Sequence, residues 1–283
     1  MQKLNLVTVV GHNTTLLPHM LNYYKTIVDE IYVVVYRQHE DDGILDEVLN
    51  LGIKPHKIVT EPKFNWERVT ELYNEVKQHK PNEWWVVSDD DEFHIYPKPI
   101  REMISDCEEN GWEFITGGFL DRIGERGEFP LVEQDTNIWE TFPLAGFFRY
   151  PMSGAMPNKV CVMKGSVDVT SGQHFAKVGN TDTWRERGWK HPNRYPINKG
   201  LVQVHHFKWD STILERLLWC SKMQDNYKHW YEYRDMYNAI ADNDMKFNLK
   251  KPEYLVEDLS ESSYIGYTTY SKWSTLINKI VKI

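Results

Sequence analysis

Apolar residues in the first third of the chain fall into short unbroken runs that alternate with segments of helical spacing. The runs cover residues 4–10, 31–36, 57–59 and 84–87. Because these runs are continuous rather than alternating, they predict strands covered on both faces, as in a parallel sheet. Helical spacing predicts helices over residues 16–24, 44–51 and 66–79, and Gly52 and Pro81 follow the last two as helix-ending residues. This order predicts an α/β fold with a doubly wound, mostly parallel sheet.

The pattern changes after about residue 110. Short strands are predicted over residues 112–117, 159–163 and 201–204, with long loops between them, including residues 121–143. From residue 211 to about 243 the sequence becomes helical and aromatic. We therefore expect one domain over residues 1–210, with halves that meet at about residue 110, and a helical extension over residues 211–283 packed on it.

Composition limits the classes of function. The chain has 283 residues, and its 41 acidic against 33 basic side chains give a net charge of −8, which argues against a protein that coats nucleic acid. The N-terminal residues lack the pattern of a signal peptide, and no apolar stretch approaches the ~20 residues that cross a bilayer. Three widely spaced cysteines suit reduced thiols. We expect a cytoplasmic protein, and its 11 tryptophans suit either a packed core or a sugar-stacking surface.

An acidic cluster, Ser88-Asp89-Asp90-Asp91-Glu92-Phe93, directly follows the fourth predicted strand. In open parallel sheets ligands bind beyond the carboxyl ends of strands, so the loops after Val10, Tyr36 and Val87 should converge. Asp89 and Asp91 are separated by one residue and can both turn toward one hard divalent cation. Such a cation stabilises the charge of a leaving diphosphate. The competing interpretation, a solvated acidic turn, is the commoner one for an isolated Asp-x-Asp.

The segment from Trp84 to Phe93 resembles the strand and Asp-x-Asp-Glu-Phe signature of GT-A-fold glycosyltransferases related to glycosyltransferase family 2. Further segments are similar to blocks of a bacterial branch of that family: Asp121-Arg122, Trp139-Glu140-Thr141-Phe142-Pro143, Pro157-Asn158-Lys159-Val160, Ser171-Gly172-Gln173-His174 and Val204-His205-His206-Phe207-Lys208-Trp209. The resemblance covers residues 4 to 220. It implies a Rossmann-like sheet flanked by helices, a nucleotide-diphosphate sugar donor of UDP type by preference, and Mn2+ or Mg2+. It also implies that the half before about residue 110 binds the nucleotide-sugar and that residues 111–210 face the acceptor.

The resemblance also implies roles for individual residues. Asp89 would face the ribose or the metal shell, Asp91 would ligate the metal, and His206 would complete the coordination. His205 is the rival of His206, because neighbours on a strand point to opposite faces. His174 is a candidate for acceptor or phosphate contact, and each histidine has the alternative of a hydrogen-bonded structural role.

The residues predicted to bind the nucleotide-sugar are His12, Asn13, Tyr36, Arg37, Asp89, Asp90 and Lys159. Two loops depart from the family pattern. His12-Asn13-Thr14 stands where relatives commonly carry Arg-Asn-Glu, and Tyr36-Arg37-Gln38 replaces an Asp that often reads the base. Tyr36 is expected to stack on a base and Arg37 to contact phosphate, with a solvated or ion-paired surface residue as the alternative for Arg37.

An inverting transfer, expected from the resemblance, needs a carboxylate to deprotonate the acceptor hydroxyl. Asp121, Glu140 and Asp182 are the candidates, although an ion pair with Arg122 is an alternative role for Asp121. Trp184 is a candidate for stacking on the acceptor sugar.

The sequence thus predicts a metal-dependent glycosyltransferase that acts on a glycan or glycolipid, with polysaccharide biosynthesis as the usual family setting. Its alternatives are a non-catalytic carbohydrate- or nucleotide-binding module and a nucleotidyltransferase. The latter usually has a Gly-rich basic phosphate loop, which Gly11-His12-Asn13-Thr14 is not. Residues 264–283 form a weakly basic amphipathic tail that suits either contact with the inner face of a membrane or docking on the parent domain.

Overall fold

The computed structural model of the protein describes residues 2–146, 148, 150–154, 158–177, 191–223, 229–249 and 281–282. Two compact units make up the chain. The first unit contains Met1–Gly118 and Asn158–Val204, and the second contains Phe119–Pro157 and His205–Ile283. The domain boundaries predicted at about residues 110 and 210 stay predictions.

The secondary structure alternates between strands and helices up to about residue 123. The strands are β1 Leu4–Val10, β2 Glu30–Arg37, β3 Lys57–Thr60, β4 Trp84–Val87, β5 Glu92–Ile95, β6 Phe114–Ile123, β7 Leu144–Gly146, β8 Asn158–Lys164, β9 Asp168–Val169, β10 Ala176–Lys177, β11 Val202–His206 and β12 Val281–Lys282. The helices are α1 Leu17–Tyr24, α2 Ile44–Asn50, α3 Trp66–Gln78, α4 Ile100–Asn110, α5 Ile138–Thr141, α6 Ile213–Ser221 and α7 Trp230–Ala241, with 3-10 turns at Ser171–Gln173 and Ile197–Lys199.

The first unit is built on a sheet in which β6, β8, β4, β1, β2 and β3 are neighbours in that order. The pairs β4–β1, β1–β2 and β2–β3 are parallel, whereas β8 runs antiparallel to both β4 and β6. Every residue of β1 and of β4 is buried, as continuous apolar runs predict. The predicted fold class, an α/β fold with a central sheet flanked by helices, is confirmed. The predicted parallel arrangement holds for β1 to β4, whereas β6, β7 and β8 add antiparallel pairs.

The predicted strands and helices before residue 90 are confirmed to within two residues at their ends. Helix α3 begins where the Asn65 side chain accepts the N–H of Glu67 at 2.8 Å, which satisfies a donor that the helix itself leaves open. Strand β5 and helix α4 have no counterpart among the predicted elements. The strand predicted to end at Gly117 is also longer than expected, since β6 continues through Gly118 to Ile123.

Gly117 explains that error. Consecutive glycines normally weaken a strand, so they predicted its end. A Cβ at residue 117 would lie 2.4 Å from the carbonyl oxygen of Val202 and 2.8 Å from Cys161 Sγ. Glycine is therefore required because another backbone approaches closely, and the strand continues.

The second unit contains the end of β6, which pairs antiparallel with β7 through Asp121↔Gly146 to Ile123↔Leu144. Its core joins residues of this hairpin to α6 and α7. The buried members of the cluster are Ile123, Phe148, Met152, Trp209, Ile213, Leu217, Met236, Ile240 and Phe247. The helices α6 and α7 confirm the helical character predicted after residue 211.

No helix in the described part of the chain has both the length and the apolarity needed to cross a membrane. The tail over residues 264–283, for which membrane contact was predicted, lies outside the described residues except for Val281 and Lys282.

Lys77 on α3 generates a prediction about stability. Its side chain is fully buried, and its Nζ donates to the Val167 carbonyl. Burial lowers the pKa of Lys77 from 10.5 to about 7. Between these two values the unfolded chain binds a proton that the folded protein does not, so the free energy of unfolding should rise with pH, by up to about 1.4 kcal/mol per pH unit.

Urea unfolding between pH 7 and pH 10 measures this slope. We expect it in the wild type and in a variant of the exposed Lys54, Lys54→Met, and its loss in Lys77→Met. Equal slopes in all three proteins would contradict the buried, neutral state of Lys77.

Candidate functional site

The acidic segment after β4 forms a tight turn. The Glu92 N–H donates to the Asp89 carbonyl at 3.1 Å, and the Ser88 hydroxyl donates to the Glu92 carbonyl at 2.8 Å. This turn connects β4 to β5 and brings the side chains at its two ends together. The carboxylates therefore cluster at the carboxyl end of a parallel strand, where α/β sheets bind ligands.

Asp89 is held by three donors of the first unit. Its Oδ1 accepts from the Tyr73 hydroxyl at 2.7 Å and from Gln173 Nε2 at 3.2 Å, and its Oδ2 accepts from Lys159 Nζ at 3.2 Å. A carboxylate has about four acceptor positions, so these bonds leave about one. The side chain of Asp89 is 36% exposed and can offer that position to a ligand. Asp89 suits one further donor, such as a hydroxyl or water, better than direct metal ligation.

Lys159 is the counter-ion of the cluster. Its Nζ lies 2.5 Å from Glu92 Oε1, and both side chains are 1% exposed. Burial by itself would lower the pKa of Lys159, but the charges of Asp89 and Glu92 raise it above the usual value. Burial likewise acts to raise the pKa of Asp89, whereas Lys159 holds it below the usual value. Lys159, which was among the residues predicted to bind the nucleotide-sugar, is thus paired with the carboxylates of Asp89 and Glu92.

Asp91 adds a further buried carboxyl group, with 5% of the residue exposed. One carboxylate oxygen of Asp91 and one of Glu92 lie within 4.8 Å of each other. Lys159 Nζ pairs with both Asp89 and Glu92, so two carboxylates share one ammonium, which leaves a surplus of negative charge. Oxygen ligands and surplus negative charge fit a hard divalent cation such as Mg2+ or Mn2+.

The first unit also contains buried polar atoms that have no hydrogen-bond partner among the described residues. His94 is fully buried, and in the described part of the chain neither of its ring nitrogens has a hydrogen-bond partner. Burial, with a smaller contribution from Lys159, lowers the pKa of His94 to about 3, so the ring is neutral. The side-chain oxygens of Asn158 and Gln173 are also buried without a partner among the described residues. Each is a position at which a bound polar group or water would be stabilised.

The second unit pairs two of the predicted site residues, Asp121 and His206. Asp121 Oδ1 lies 2.9 Å from His206 Nδ1 and accepts from Trp209 Nε1 at 3.1 Å. The side chain of Asp121 is 5% exposed and that of His206 is 15% exposed. A carboxylate that holds one imidazole nitrogen is the usual partner of a metal-binding histidine.

The rival, His205, lies on the opposite face of β11. Its Nδ1 is 3.2 Å from Arg122 Nη1, and its ring packs edge-on against Trp139 at 5.3 Å. Burial and then the charge of Arg122 lower the pKa of His205 to about 3. His205 is therefore a neutral, packed histidine.

Arg122 also departs from its predicted alternative role. Its guanidinium donates to the backbone carbonyls of Trp139 and Phe142, and its charge lies over the rings of Trp139 and Phe207 at 5.4 and 5.3 Å. These bonds hold Arg122 on the face of β6 opposite Asp121, since neighbours on a strand alternate. The structure thus gives Arg122 carbonyl and aromatic partners where an ion pair with Asp121 was considered.

In the structure, Tyr36 and Arg37 both make contacts within the protein. Tyr36 is 1% exposed, its hydroxyl donates to Glu61 or the Lys63 carbonyl at 3.2 Å, and its ring lies 5.2 Å from that of Phe64. This burial leaves no face on which a base could stack. The guanidinium of Arg37 donates to Thr60 Oγ1 at 3.1 Å and to the Glu40 carbonyl at 2.8 Å. Arg37 thereby closes the loop that follows β2.

The remaining predicted residues have varied environments. His12 and Asn13 are half-buried in the loop after β1, and Asp90 is half-buried in the acidic turn. His174 donates through Nδ1 to the Asn158 carbonyl at 2.8 Å, so phosphate contact through its other nitrogen requires a protonated ring. Glu140 is exposed on α5. Asp182 and Trp184 lie outside the described residues.

Tyr73, Gln173 and Trp209 are site residues that the sequence analysis did not single out. Tyr73 lies among the buried apolar positions of α3. Its spacing in the sequence is therefore the same as that of an ordinary core residue. Gln173 and Trp209 stand in two of the segments that carry the family resemblance, which was the available signal. Their contacts join residues distant in sequence.

No protein-family model and no curated protein matches the chain. Solved structures similar to it include TarS from S. aureus, with 10% identity, a TM-score of 0.33 and coverage of 84% of this chain and 44% of TarS. Glucosyl-3-phosphoglycerate synthase from Mycobacterium tuberculosis, solved with Mn2+ and UDP, has 12% identity, a TM-score of 0.27 and coverage of 42% and 44%. A putative glucose-1-phosphate thymidylyltransferase from Bacillus anthracis has 12% identity, a TM-score of 0.28 and coverage of 45% and 58%.

The chain thus spans less than half the length of TarS and of the synthase. Because these TM-scores lie below 0.5, none of these similarities carries an argument about the function of this chain.

Lys159 gives a direct test of the charge balance. Lys159→Met should destabilise the protein by about 3–5 kcal/mol, because the buried carboxylates lose their cation. Mn2+ should then raise the melting temperature of Lys159→Met more than that of the wild type. Thermal unfolding with and without Mn2+ measures both effects.

The matched control is Lys164→Met on the same strand, whose side chain is 25% exposed and pairs with Glu108. We expect this control to respond to Mn2+ as the wild type does. A Lys159→Met protein as stable as the control would show that the carboxylates do not depend on Lys159.

Proposed function

We propose that the protein is a metal-dependent glycosyltransferase. It moves a sugar from a nucleotide-diphosphate donor to a hydroxyl of a glycan or glycolipid acceptor, with inversion at the anomeric carbon. The observation that carries the proposal is the cluster of Asp89, Asp91 and Glu92 at the carboxyl end of β4, in which Asp91 and Glu92 are buried and the Lys159 ammonium is shared by Asp89 and Glu92. A solvated acidic turn, the competing interpretation, would have exposed side chains without a buried counter-ion.

The proposal gives each residue of the first unit a separate task. Asp91, with Glu92 beside it, supplies oxygen ligands to a divalent cation, which when bound stabilises the charge on the leaving diphosphate as a Lewis acid. Asp89 offers its remaining acceptor position to a hydroxyl of the donor or to a water of the metal shell. Tyr73, Gln173 and Lys159 hold the Asp89 carboxylate in place and so reduce the entropy lost on binding.

His206 is proposed as the nitrogen ligand of the cation, a role that its sequence context predicts and that its pairing with Asp121 supports. Among the three candidates for the general base, Asp121 already accepts two hydrogen bonds at Oδ1 from its own unit. Glu140 and Asp182 remain the proposed candidates for the proton transfer.

A thermal-shift screen with calorimetry tests the donor class. The nucleotides are UDP, GDP, CMP, dTDP and UTP, each with and without Mn2+. A ligand at about 100 times its dissociation constant stabilises the folded protein by about 2.7 kcal/mol. We expect a Mn2+-dependent shift with one nucleoside diphosphate that is lost in Asp91→Ala and retained in Asp46→Ala, a variant of an exposed aspartate on α2.

Two outcomes of the screen would contradict the proposal. If no nucleotide raises the melting temperature, with or without Mn2+, the protein would be a binding module for another ligand or a scaffold. A shift with UTP that exceeds every diphosphate shift would favour a nucleotidyltransferase.

The stereochemistry is tested on the product formed from the donor that the screen identifies. Proton NMR gives the anomeric configuration of the transferred sugar. Inversion is expected, and a product that keeps the donor configuration would overturn that part of the proposal.

A further inference from the structure

Asp121 is a buried, hydrogen-bonded carboxylate of the second unit. His206 Nδ1 and the indole N–H of Trp209 both lie within hydrogen-bond distance of the same oxygen, Oδ1, at 2.9 and 3.1 Å. Trp209 is fully buried in the core cluster that also contains Ile213 and Phe148, so its indole N–H is fixed by packing. The Asp121 side chain is 5% exposed. It is held by Trp209 of the core and lies against the imidazole of His206.

This arrangement determines the tautomer of His206. An ionised carboxylate only accepts hydrogen bonds, so the imidazole proton resides on Nδ1. The lone pair of the neutral ring then lies on Nε2, the atom farther from Asp121. Because a divalent cation binds the lone pair and not the N–H, this tautomer is the one that a metal-binding histidine needs.

The alternation along β6 and β11 separates this pair from its neighbours. Asp121 meets His206 on one face, while Arg122 meets His205 on the other. The Arg122 and His205 side contains Trp139, Phe142 and Phe207, and it is a packed interior. The two pairs therefore lie on opposite faces of these strands.

We propose that Asp121 is a positioning residue that acts through His206, and not the general base. It orients the imidazole so that Nε2 rather than Nδ1 carries the lone pair that would bind a divalent cation, and Trp209 anchors the Asp121 carboxylate. The inference rests on the proposed function, because it takes His206 as a ligand of the cation. A general base would need to face an acceptor hydroxyl, whereas Oδ1 of Asp121 already contacts His206 Nδ1 and the Trp209 N–H.

Mn2+ binding to the intact protein tests the inference without any sugar substrate. The affinity is measured by electron paramagnetic resonance of free Mn2+ and by calorimetry. Loss of an outer carboxylate typically reduces metal affinity 10- to 100-fold. We expect a reduction of this size in Asp121→Ala, a smaller one in Asp121→Asn, and wild-type affinity in Asp135→Ala, a variant of an exposed aspartate in the same unit.

The intermediate result for Asp121→Asn has a specific cause. An amide oxygen still accepts the two N–H groups, so the geometry persists while the charge is lost. Trp209→Phe provides a second measurement if Asp121→Ala fails to fold, since it removes one donor to Oδ1 and keeps an aromatic ring in the core. We expect Trp209→Phe to reduce Mn2+ affinity by several-fold.

A double-mutant cycle separates action through His206 from general destabilisation. If Asp121 acts only through His206, Mn2+ affinity should be the same in His206→Ala and in His206→Ala combined with Asp121→Asn. Additive reductions would overturn the inference, and so would wild-type affinity in both Asp121 variants.

Failure of the proposed function gives a different result. In that case the wild type itself would bind Mn2+ no better than Asp91→Ala, and both conclusions would fall together. If the wild type binds Mn2+ through Asp91 and the Asp121 variants bind equally well, only the positioning role is overturned.

Discussion

The buried ion-pair network of Lys159 with Glu92 and Asp89 is the constraint on which the first unit's site depends. Carboxylates that are removed from water are destabilised unless a cation and hydrogen bonds compensate them. Lys159 supplies that cation from β8, while Tyr73 on α3 and Gln173 in a 3-10 turn supply neutral donors. Strand, helix and turn are thus tied to one carboxylate pair, which fixes the end of β4 in the position where a ligand would bind.

The same network has a chemical consequence. One ammonium is shared by Asp89 and Glu92, so this pair of carboxylates retains negative charge in a partly dehydrated environment. In that environment electrostatic interactions are stronger than in water, so the affinity for a further cation rises. A cluster entirely neutralised by its own side chains would lack this affinity.

The second unit uses strand alternation for a similar purpose. Adjacent residues on β6 and β11 form two cross-strand pairs that point in opposite directions. Arg122 and His205 are surrounded by aromatic rings and backbone carbonyls, whereas Asp121 and His206 form a carboxylate–imidazole pair. One dipeptide on each strand therefore contributes both to the packed interior and to a carboxylate–imidazole pair on the other face.

The sequence by itself determined the first four strands, the three helices between them and the location of the acidic cluster. These follow from local rules, because unbroken apolar runs, helical spacing and helix-ending residues act over a few neighbours. It also selected His206 and Asp121, although as separate candidates for metal ligation and proton transfer.

Only the tertiary structure decided which groups meet. Gly117 was misjudged because its reason, the approach of the Val202 carbonyl, comes from a strand about 85 residues later in the chain. Lys159 and Gln173 reach Asp89 across 70 and 84 residues, and His206 reaches Asp121 across 85. Such contacts form when distant segments of the chain meet, and no local pattern encodes them, so the partners of each carboxylate became visible only in the folded protein.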